Sequence, residues 1–317
     1  MTEHYVTLYD SSFLPHGIAL HTSMVRHAGD FHLWVIAMDD AAVAALRALD
    51  LEHVSVLPLP SVENEDLLSI KASRSRGEYC WTLTPFTSSI VFNADPTVER
   101  VTYLDSDLWF AKSPEPIFAE FEHSGRAVMI TDHAYADEHD QALESGRYCV
   151  QFMPFVRGAG DEVAAWWQAR CIEWCFARFE DGKFGDQKYL DDWPVRFPDS
   201  VHVLERLPAL QAPWNATRFD PREAIVFHFH ELRTMGAGRV RLGHYRLPSQ
   251  TLTTIYQPYL QDLSRALADL RAIGVIPPPQ KPSRGAWQEA KDWLALRALD
   301  RTPPRSPLSA RLPEASS

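Results

Sequence analysis

A chain of 317 residues, 45% hydrophobic and 23% charged, holds enough apolar material for one large domain or one and a half. Its net charge of −11 argues against nucleic acid as the main partner. The first residues lack a basic stretch followed by an apolar one, and no apolar run reaches the length of a membrane span, so the expected location is the cytoplasm.

Residues 4–9 read as a first strand ending at Asp10-Ser11-Ser12. Pro15 and Gly17 lead into a helical pattern through Ile18, Leu20 and Met24. Residues 31–38 are the next strand, Asp39-Asp40 cap an Ala-rich helix to about Leu49, and residues 54–57 are a third strand closed by Pro58 and Pro60. This alternation predicts an α/β fold with a mostly parallel, doubly wound sheet flanked by helices, whose ligands bind beyond the carboxyl ends of the strands. Asp10, Asp39 and Asp105 all stand at such ends.

Residues 63–75 look helical and, with Arg76, carry Lys71 and Arg74. These cations form a solvated basic face or meet a diphosphate. Residues 79–92 read as a buried helix leading into Val101-Thr102-Tyr103-Leu104, an apolar strand that ends in Asp105-Ser106-Asp107. No other Asp-x-Asp occurs in the chain. In an extended segment alternate side chains share a side, so the two carboxylates are expected to face the same way. Held together at the end of a buried strand they need a cation between them, and Mg²⁺ or Mn²⁺ fits. The plainer alternative is a solvated acidic turn.

Residues 125–131 are another strand, ending at Asp132, and residues 148–156 a further one. A helix runs from Gly160-Asp161 to about Phe179, its Trp166, Trp167 and Trp174 most simply core. The four cysteines (Cys80, Cys149, Cys171, Cys175) include no Cys-x-x-Cys, so buried thiols are the simpler reading than a zinc pair at Cys171 and Cys175. Gly182 to Trp193 is dense in polar residues, with Asp186 an N-cap or a reacting carboxylate and Gln187 able to donate and accept. Trp214-Asn215 offers a sugar platform beside a hydrogen-bonding amide. Residues 224–231 read as a late strand that aligns His228 and His230 on one face, one of them a metal ligand. Arg233, Arg239 and Arg241 form a basic group suited to phosphate.

Residues 253–273 fit an amphipathic helix, a C-terminal helical extension of the domain. Pro277-Pro278-Pro279 then closes a domain over 1–276. Over 277–317 follow a Pro-rich linker, one short helix near Trp287 and Trp293, and a disordered tail around Pro303-Pro304. The net-basic helix docks on the body or rests on anionic lipid, a candidate peripheral contact with the inner membrane. There is no internal repeat.

In this order, Tyr9-Asp10-Ser11-Ser12-Phe13, Tyr103-Leu104-Asp105-Ser106-Asp107, Asp186-Gln187 with Leu190-Asp191, Trp214-Asn215 and His228-Phe229-His230 resemble nucleotide-sugar glycosyltransferases of the GT-A type. The nearest resemblance is to the family 8 group of retaining transferases and to bacterial relatives in surface-polysaccharide synthesis. It spans roughly residues 4–260. The resemblance implies a GT-A, Rossmann-like fold and a metal-dependent transferase, hexosyltransferase-like, that takes a UDP-sugar to a glycan or lipid-linked acceptor with retention. It implies that Asp105, Asp107 and His228 hold Mn²⁺ or Mg²⁺, with His228 preferred over His230. It implies nucleotide contacts from Thr7, Tyr9, Asp10, Lys71, Arg74, Asp105 and Ser106, substrate contacts from Asp132, Trp214, Asn215 and Arg233, and a reacting face at Asp186 and Gln187.

The chain departs from the family where Glu231-Leu232-Arg233-Thr234 replaces a Gly and Lys-Pro-Trp segment after the late His, and where Asp191 stands for an Asn. Arg233 and Arg239 are then the candidate substitutes for the diphosphate-binding lysine. A nucleotidyltransferase is disfavoured because Asp10-Ser11-Ser12-Phe13-Leu14 stands where a Gly-rich, Arg-containing loop belongs, and neither a P-loop nor a dinucleotide signature is present. The remaining alternatives are a nucleotide-sugar hydrolase and a catalytically silent sugar- or nucleotide-binding partner of a polysaccharide-assembly complex.

Overall fold

The computed structural model describes residues 2–236, 238–280 and 309–313. Strands β1 (Glu3–Tyr9), β2 (Phe31–Ala37) and β3 (Val54–Pro58) alternate with helices α1 (Leu14–His27) and α2 (Asp40–Leu49). The Asp39 carboxylate caps α2 as its residue type predicts, accepting from the Ala42 N–H at 2.8 Å. Helix α3 (Glu65–Lys71) follows, then α4 (Arg76–Leu83), which opens on a capping box between Ser75 and Glu78. The helix expected over 79–92 is two, α4 and α5 (Thr87–Ala94), separated by a 3₁₀ turn at Thr84–Phe86 where Pro85 supplies no N–H.

Beyond α5 come β4 (Arg100–Leu104), β5 (Leu108–Phe110), α6 (Glu115–Ser124), β6 (Val128–Asp132), the single-turn α7 (Ala142–Ser145), β7 (Tyr148–Cys149), β8 (Phe152–Val156) and α8 (Asp161–Glu173). The chain continues through α9 (Trp193–Arg196), β9 (Val201–Val203), β10 (Leu210–Gln211) and β11 (Val226–His228) to the hairpin β12 (Arg233–Gly236) and β13 (Arg239–Arg241). The single-turn α10 (Ser249–Thr251) leads through a π-helical turn into α11 (Gln257–Ala272).

The large sheet has the order β3-β2-β1-β4-β8-β6-β7, with β9 beside β6. Its first four strands are parallel, β8 reverses direction against β4, and β9 is again parallel to β6. Because β2 and β3 lie on one side of β1 and β4 on the other, the connections diverge between β1 and β4. A crevice therefore opens at the carboxyl ends of that pair. Both faces are covered. Tyr5, Leu33 and Val35 pack towards α1 and α2, whereas Val6, Ile36, Val101 and Met153 pack towards α4, α5 and α8. The fold is the expected α/β class, with a large, mostly parallel central sheet between helices.

A second sheet, β10-β11-β5, carries the chain away from the first. The expected strand 148–156 is broken between β7 and β8 at Val150-Gln151, and there the Gln151 carbonyl accepts from the Asp105 N–H at 3.0 Å. The late strand ends at His228 rather than at 231, since Glu231 takes φ +63 and leaves extended geometry. Within the segment read as a tail, β14 (Ser309–Arg311) pairs antiparallel with β13, and Leu312 packs on the cluster that holds α11 to β11. The expected helix near Trp287 and Trp293 lies outside the described residues, as does Pro303-Pro304. Among the described residues no helix is long and apolar enough to cross a membrane.

Candidate active site

The centre of the crevice is the turn between β4 and β5. Asp105 and Asp107 do not face alike by strand alternation, as the extended reading required. The strand stops at Leu104, and a tight turn, closed by the Leu108 N–H on the Asp105 carbonyl at 3.2 Å, brings the two carboxylates together. His228 reaches them from β11, which pairs antiparallel with β5 so that His228 lies opposite Leu108. Its Nε2 is 3.1 Å from Asp107 Oδ1 and 3.8 Å from Asp105 Oδ2. One ligand atom from each of Asp105, Asp107 and His228 lies within 4.8 Å of the others. Two hard carboxylate oxygens and one imidazole nitrogen fit a divalent cation.

The three side chains are individually fixed. Tyr103 donates its hydroxyl to Asp105 Oδ1 at 2.9 Å. The Phe229 N–H donates to the Asp107 carbonyl at 2.9 Å, which ties the end of β11 to the turn. His228 Nδ1 meets Gln151 Oε1 at 3.0 Å, and the Trp214 ring stands edge-on to the imidazole at 5.2 Å.

Charge is divided unevenly. Burial raises the Asp105 carboxyl, only partly countered by His228. Burial opposes ionisation of Asp107 too, but the adjacent imidazole more than offsets it and holds this carboxyl below the usual carboxylate range. Against its own burial, His228 is pushed well above the ordinary histidine value by Asp107.

His230 does not join the group. It is buried, its ring is 5.3 Å from Trp214, and burial drops it to about 3. Because the strand ends at His228, the alternation that would have aligned the two histidines does not operate.

At the end of β1, Asp10 Oδ1 accepts from the N–H and hydroxyl of Ser12, and its Oδ2 from Arg76 at 2.9 Å. Arg76 also lies 3.7 Å from Asp39. The cation in this corner is therefore Arg76, at the first turn of α4. Lys71 is held by Glu63 at 2.6 Å, and Arg74 stacks over Phe176 at 3.9 Å while donating to the Ile172 carbonyl. Thr7 and Tyr9 are buried on β1, the Thr7 hydroxyl without a hydrogen-bond partner among the described residues. The Tyr9 ring lies so close to Gly17 that a Cβ there would be 2.3 Å from Tyr9 Cζ. Ser106 is half-buried at the apex of the Asp105–Asp107 turn.

Asp186 is buried, and its Oδ2 has no hydrogen-bond partner among the described residues. Burial, with Cys175 and Asp105 adding to it, pushes its carboxyl well above the usual range. It is placed by Gly185 (φ +53), whose α-carbon backs on Trp81, and by the Trp167 indole donating to the Asp186 carbonyl at 2.8 Å. Gln187 donates Nε2 to the Ser145 carbonyl at 2.7 Å. Asp132 accepts from the Ala134 N–H and from Arg147 Nε at 2.8 Å.

Trp214 and Asn215 are buried rather than presented as a surface, and both donate to the His133 carbonyl, at 2.8 and 3.0 Å. The Asn215 side-chain Oδ1 accepts from the Ala212 N–H at 2.9 Å. In the observed structure this pair holds the β6–β7 connection against His228. Arg233 sits over Phe13 at 5.4 Å and adds positive potential at Asp107, while Arg239 is exposed on β13, between β12 and β14. Sequence reasoning missed Arg76 as the partner of Asp10, and it missed Gln151. The available signal for Gln151 was a lone amide in the otherwise apolar run 148–156.

No known protein-family profile matches the chain. Solved structures of similar fold include the bifunctional glycosyltransferase WbbM (TM-score 0.52, 11% identity, 86% of this chain and 51% of that one). They also include the glycosyltransferase GlyE of Streptococcus pneumoniae TIGR4 (TM-score 0.51, 12% identity, 89% and 66%). A third is the galactosyltransferase LgtC in complex with donor and acceptor sugar analogs (TM-score 0.50, 12% identity, 83% and 95%). At these identities the likeness establishes the GT-A fold. In sequence, the chain is 28% identical over 292 residues to the uncharacterised protein YfnD of Bacillus subtilis (strain 168), covering 86% of this chain and 92% of that protein. Over the same length it is 34% identical to YfnF of that organism, covering 86% and 95%, and the chain therefore belongs to the family of YfnF.

Proposed function

We propose that the protein is a metal-dependent glycosyltransferase that moves a sugar from a nucleoside diphosphate sugar, UDP-linked by resemblance, to a glycan or lipid-linked acceptor. The observation that carries this reading is the convergence of Asp105, Asp107 and His228 at the carboxyl end of β4, in a GT-A fold. These three side chains would hold Mn²⁺ or Mg²⁺, which when bound neutralises the charge that builds on a departing nucleoside diphosphate. Arg233, beyond Asp107, supplies a fixed positive charge to the same diphosphate. Asp10, held by Arg76 and Ser12, meets the nucleoside, with Thr7, Tyr9 and Ser106 shaping the floor and Lys71 and Arg74 at the outer edge.

Asp186 is the carboxyl at the reacting face. Burial favours its protonated form, which can donate as well as accept a hydrogen bond at a sugar hydroxyl, where an ionised carboxylate can only accept. Gln187 and Asp132 line the acceptor side, and Trp214 with Asn215 hold the wall behind His228. Retention of configuration is taken from the family 8 resemblance. Surface-polysaccharide synthesis at the cytoplasmic side of the inner membrane is the proposed setting, with the C-terminal tail as its peripheral contact. The net charge of −11 supports an assembly without nucleic acid.

The test is a thermal-shift screen of nucleoside diphosphates and their sugars with and without Mn²⁺, comparing the native protein with Asp107→Ala. Metal-dependent stabilisation of the native protein alone is expected. Indifference to every nucleotide, with or without metal, overturns the reading. Acceptor-independent release of nucleoside monophosphate and sugar phosphate identifies a hydrolase instead.

A further inference from the structure

We propose that Gln151 is the positioning residue of the Asp105–Asp107–His228 centre: its side chain sets the His228 ring and its main chain sets Asp105. The proposal rests on the metal-site reading above.

Two contacts of one residue carry it. Gln151 Oε1 lies 3.0 Å from His228 Nδ1, and the Gln151 carbonyl accepts from the Asp105 N–H at 3.0 Å. The side chain is 1% exposed, in the break between β7 and β8, with Phe152 and Val150 buried on either side. An amide in such a place is costly unless its polar atoms are used.

An imidazole that offers its Nε2 lone pair to a cation must carry its proton on Nδ1, and an acceptor at Nδ1 selects that tautomer. The Trp214 ring, perpendicular to the imidazole with centroids 5.2 Å apart, packs against it and opposes its rotation. A glutamine accepts this proton without adding a third negative charge beside Asp105 and Asp107. The same break in the strand that aims the side chain at His228 frees the carbonyl for Asp105. One residue thus fixes ligands that come from two different sheets.

The experiment titrates Mn²⁺ alone into the full-length protein by calorimetry, for the native chain, Gln151→Leu and Gln151→Glu. Leucine keeps the bulk and loses the acceptor, and its Kd is expected to rise about 10- to 100-fold. Glutamate keeps an acceptor and is expected to bind at least as tightly as the native chain, a rescue that a packing role would not give. A measurement on the native protein needs no variant to fold: ¹⁵N-histidine NMR with Mg²⁺ should show His228 protonated at Nδ1.

A folded Gln151→Leu with native Kd overturns the assignment. So does a Gln151→Glu as weak as the leucine variant, or a bare Nδ1 in the native complex. If the native protein itself does not bind Mn²⁺, the metal-site reading fails and this one with it. That result is distinct from native binding undisturbed by Gln151→Leu.

Discussion

His228 Nε2 stands 3.1 Å from Asp107 Oδ1, although one lies at the end of β11 and the other in the turn before β5, far apart in the chain. The contact exists because β11 runs antiparallel to β5 in a register that puts His228 opposite Leu108. It raises the proton affinity of the imidazole, and that effect can be measured.

Metal must displace the His228 proton to bind. The histidine is raised well above its ordinary value by Asp107, so it holds its proton more tightly than a free imidazole does. Mn²⁺ affinity should therefore rise with pH, about tenfold per unit while one proton is released. Calorimetry in buffers of different ionisation enthalpy should count that proton between pH 6 and 8. A pH-independent Kd over that range contradicts the exchange.

Asp107→Ala should abolish metal-dependent nucleotide binding and lower kcat/KM for the proposed transfer by about 10²- to 10³-fold, the scale of losing one main electrostatic stabiliser. Fold should survive, because the remaining neighbours of position 107 are held by backbone bonds such as Phe229 N–H to its carbonyl. Thermal shift with Mn²⁺ and nucleoside diphosphate reads the binding, and circular dichroism the fold.

Asp186→Asn replaces a buried carboxyl by an amide of the same shape. Since Oδ2 has no partner among the described residues and burial already disfavours the charged form, stability should change by less than ~1 kcal/mol. Activity should fall about 10²-fold if the acid proton is used at the reacting face. Urea unfolding alongside product assay separates the two, and an asparagine variant as active as the native chain removes Asp186 from the chemistry.

His16 should make the fold acid-sensitive. Burial, outweighing the nearby Asp107, lowers it to about 4, with Nδ1 against the Tyr259 hydroxyl at 2.7 Å. The unfolded chain binds this proton below about pH 6.5 and the folded one only near pH 4, so stability present at pH 7 is lost as pH falls through that window. The loss attributable to His16 is ~3 kcal/mol when complete. Urea unfolding of the native chain and of His16→Gln from pH 7 to 4 should give a shallower slope for the variant.

Gly17→Ala is expected to destabilise by ~2 kcal/mol, since the added methyl would overlap the Tyr9 ring and force β1 and α1 apart. The displaced strand end carries Asp10, so nucleotide affinity should fall in the same variant. A Tm equal to that of the native chain refutes the contact.

Alternation of apolar strands and helices was enough to place Asp10, Asp39 and Asp105 at strand ends, because burial on both sheet faces writes itself into local hydrophobic pattern. The Asp105-Ser106-Asp107 motif, and a late histidine at 228 or 230 as its partner, were legible as residue types suited to a hard cation, and only the family resemblance favoured His228. Other features were decided only in three dimensions. The carboxylates meet through a turn, not through a strand's period, and β11 ends one residue past Phe227, so His228 turns to the centre and His230 does not. Of the three cations read as able to meet a diphosphate, Arg76 is the one that reaches Asp10, while Glu63 and Phe176 engage Lys71 and Arg74. Trp214 and Asn215, read as an open platform, are buried around the His133 carbonyl. Gln151 had no local signature beyond being polar among apolar neighbours. Local pattern records which side of an element is buried, but it does not record which distant side chain waits there, and that pairing is fixed by sheet order and register.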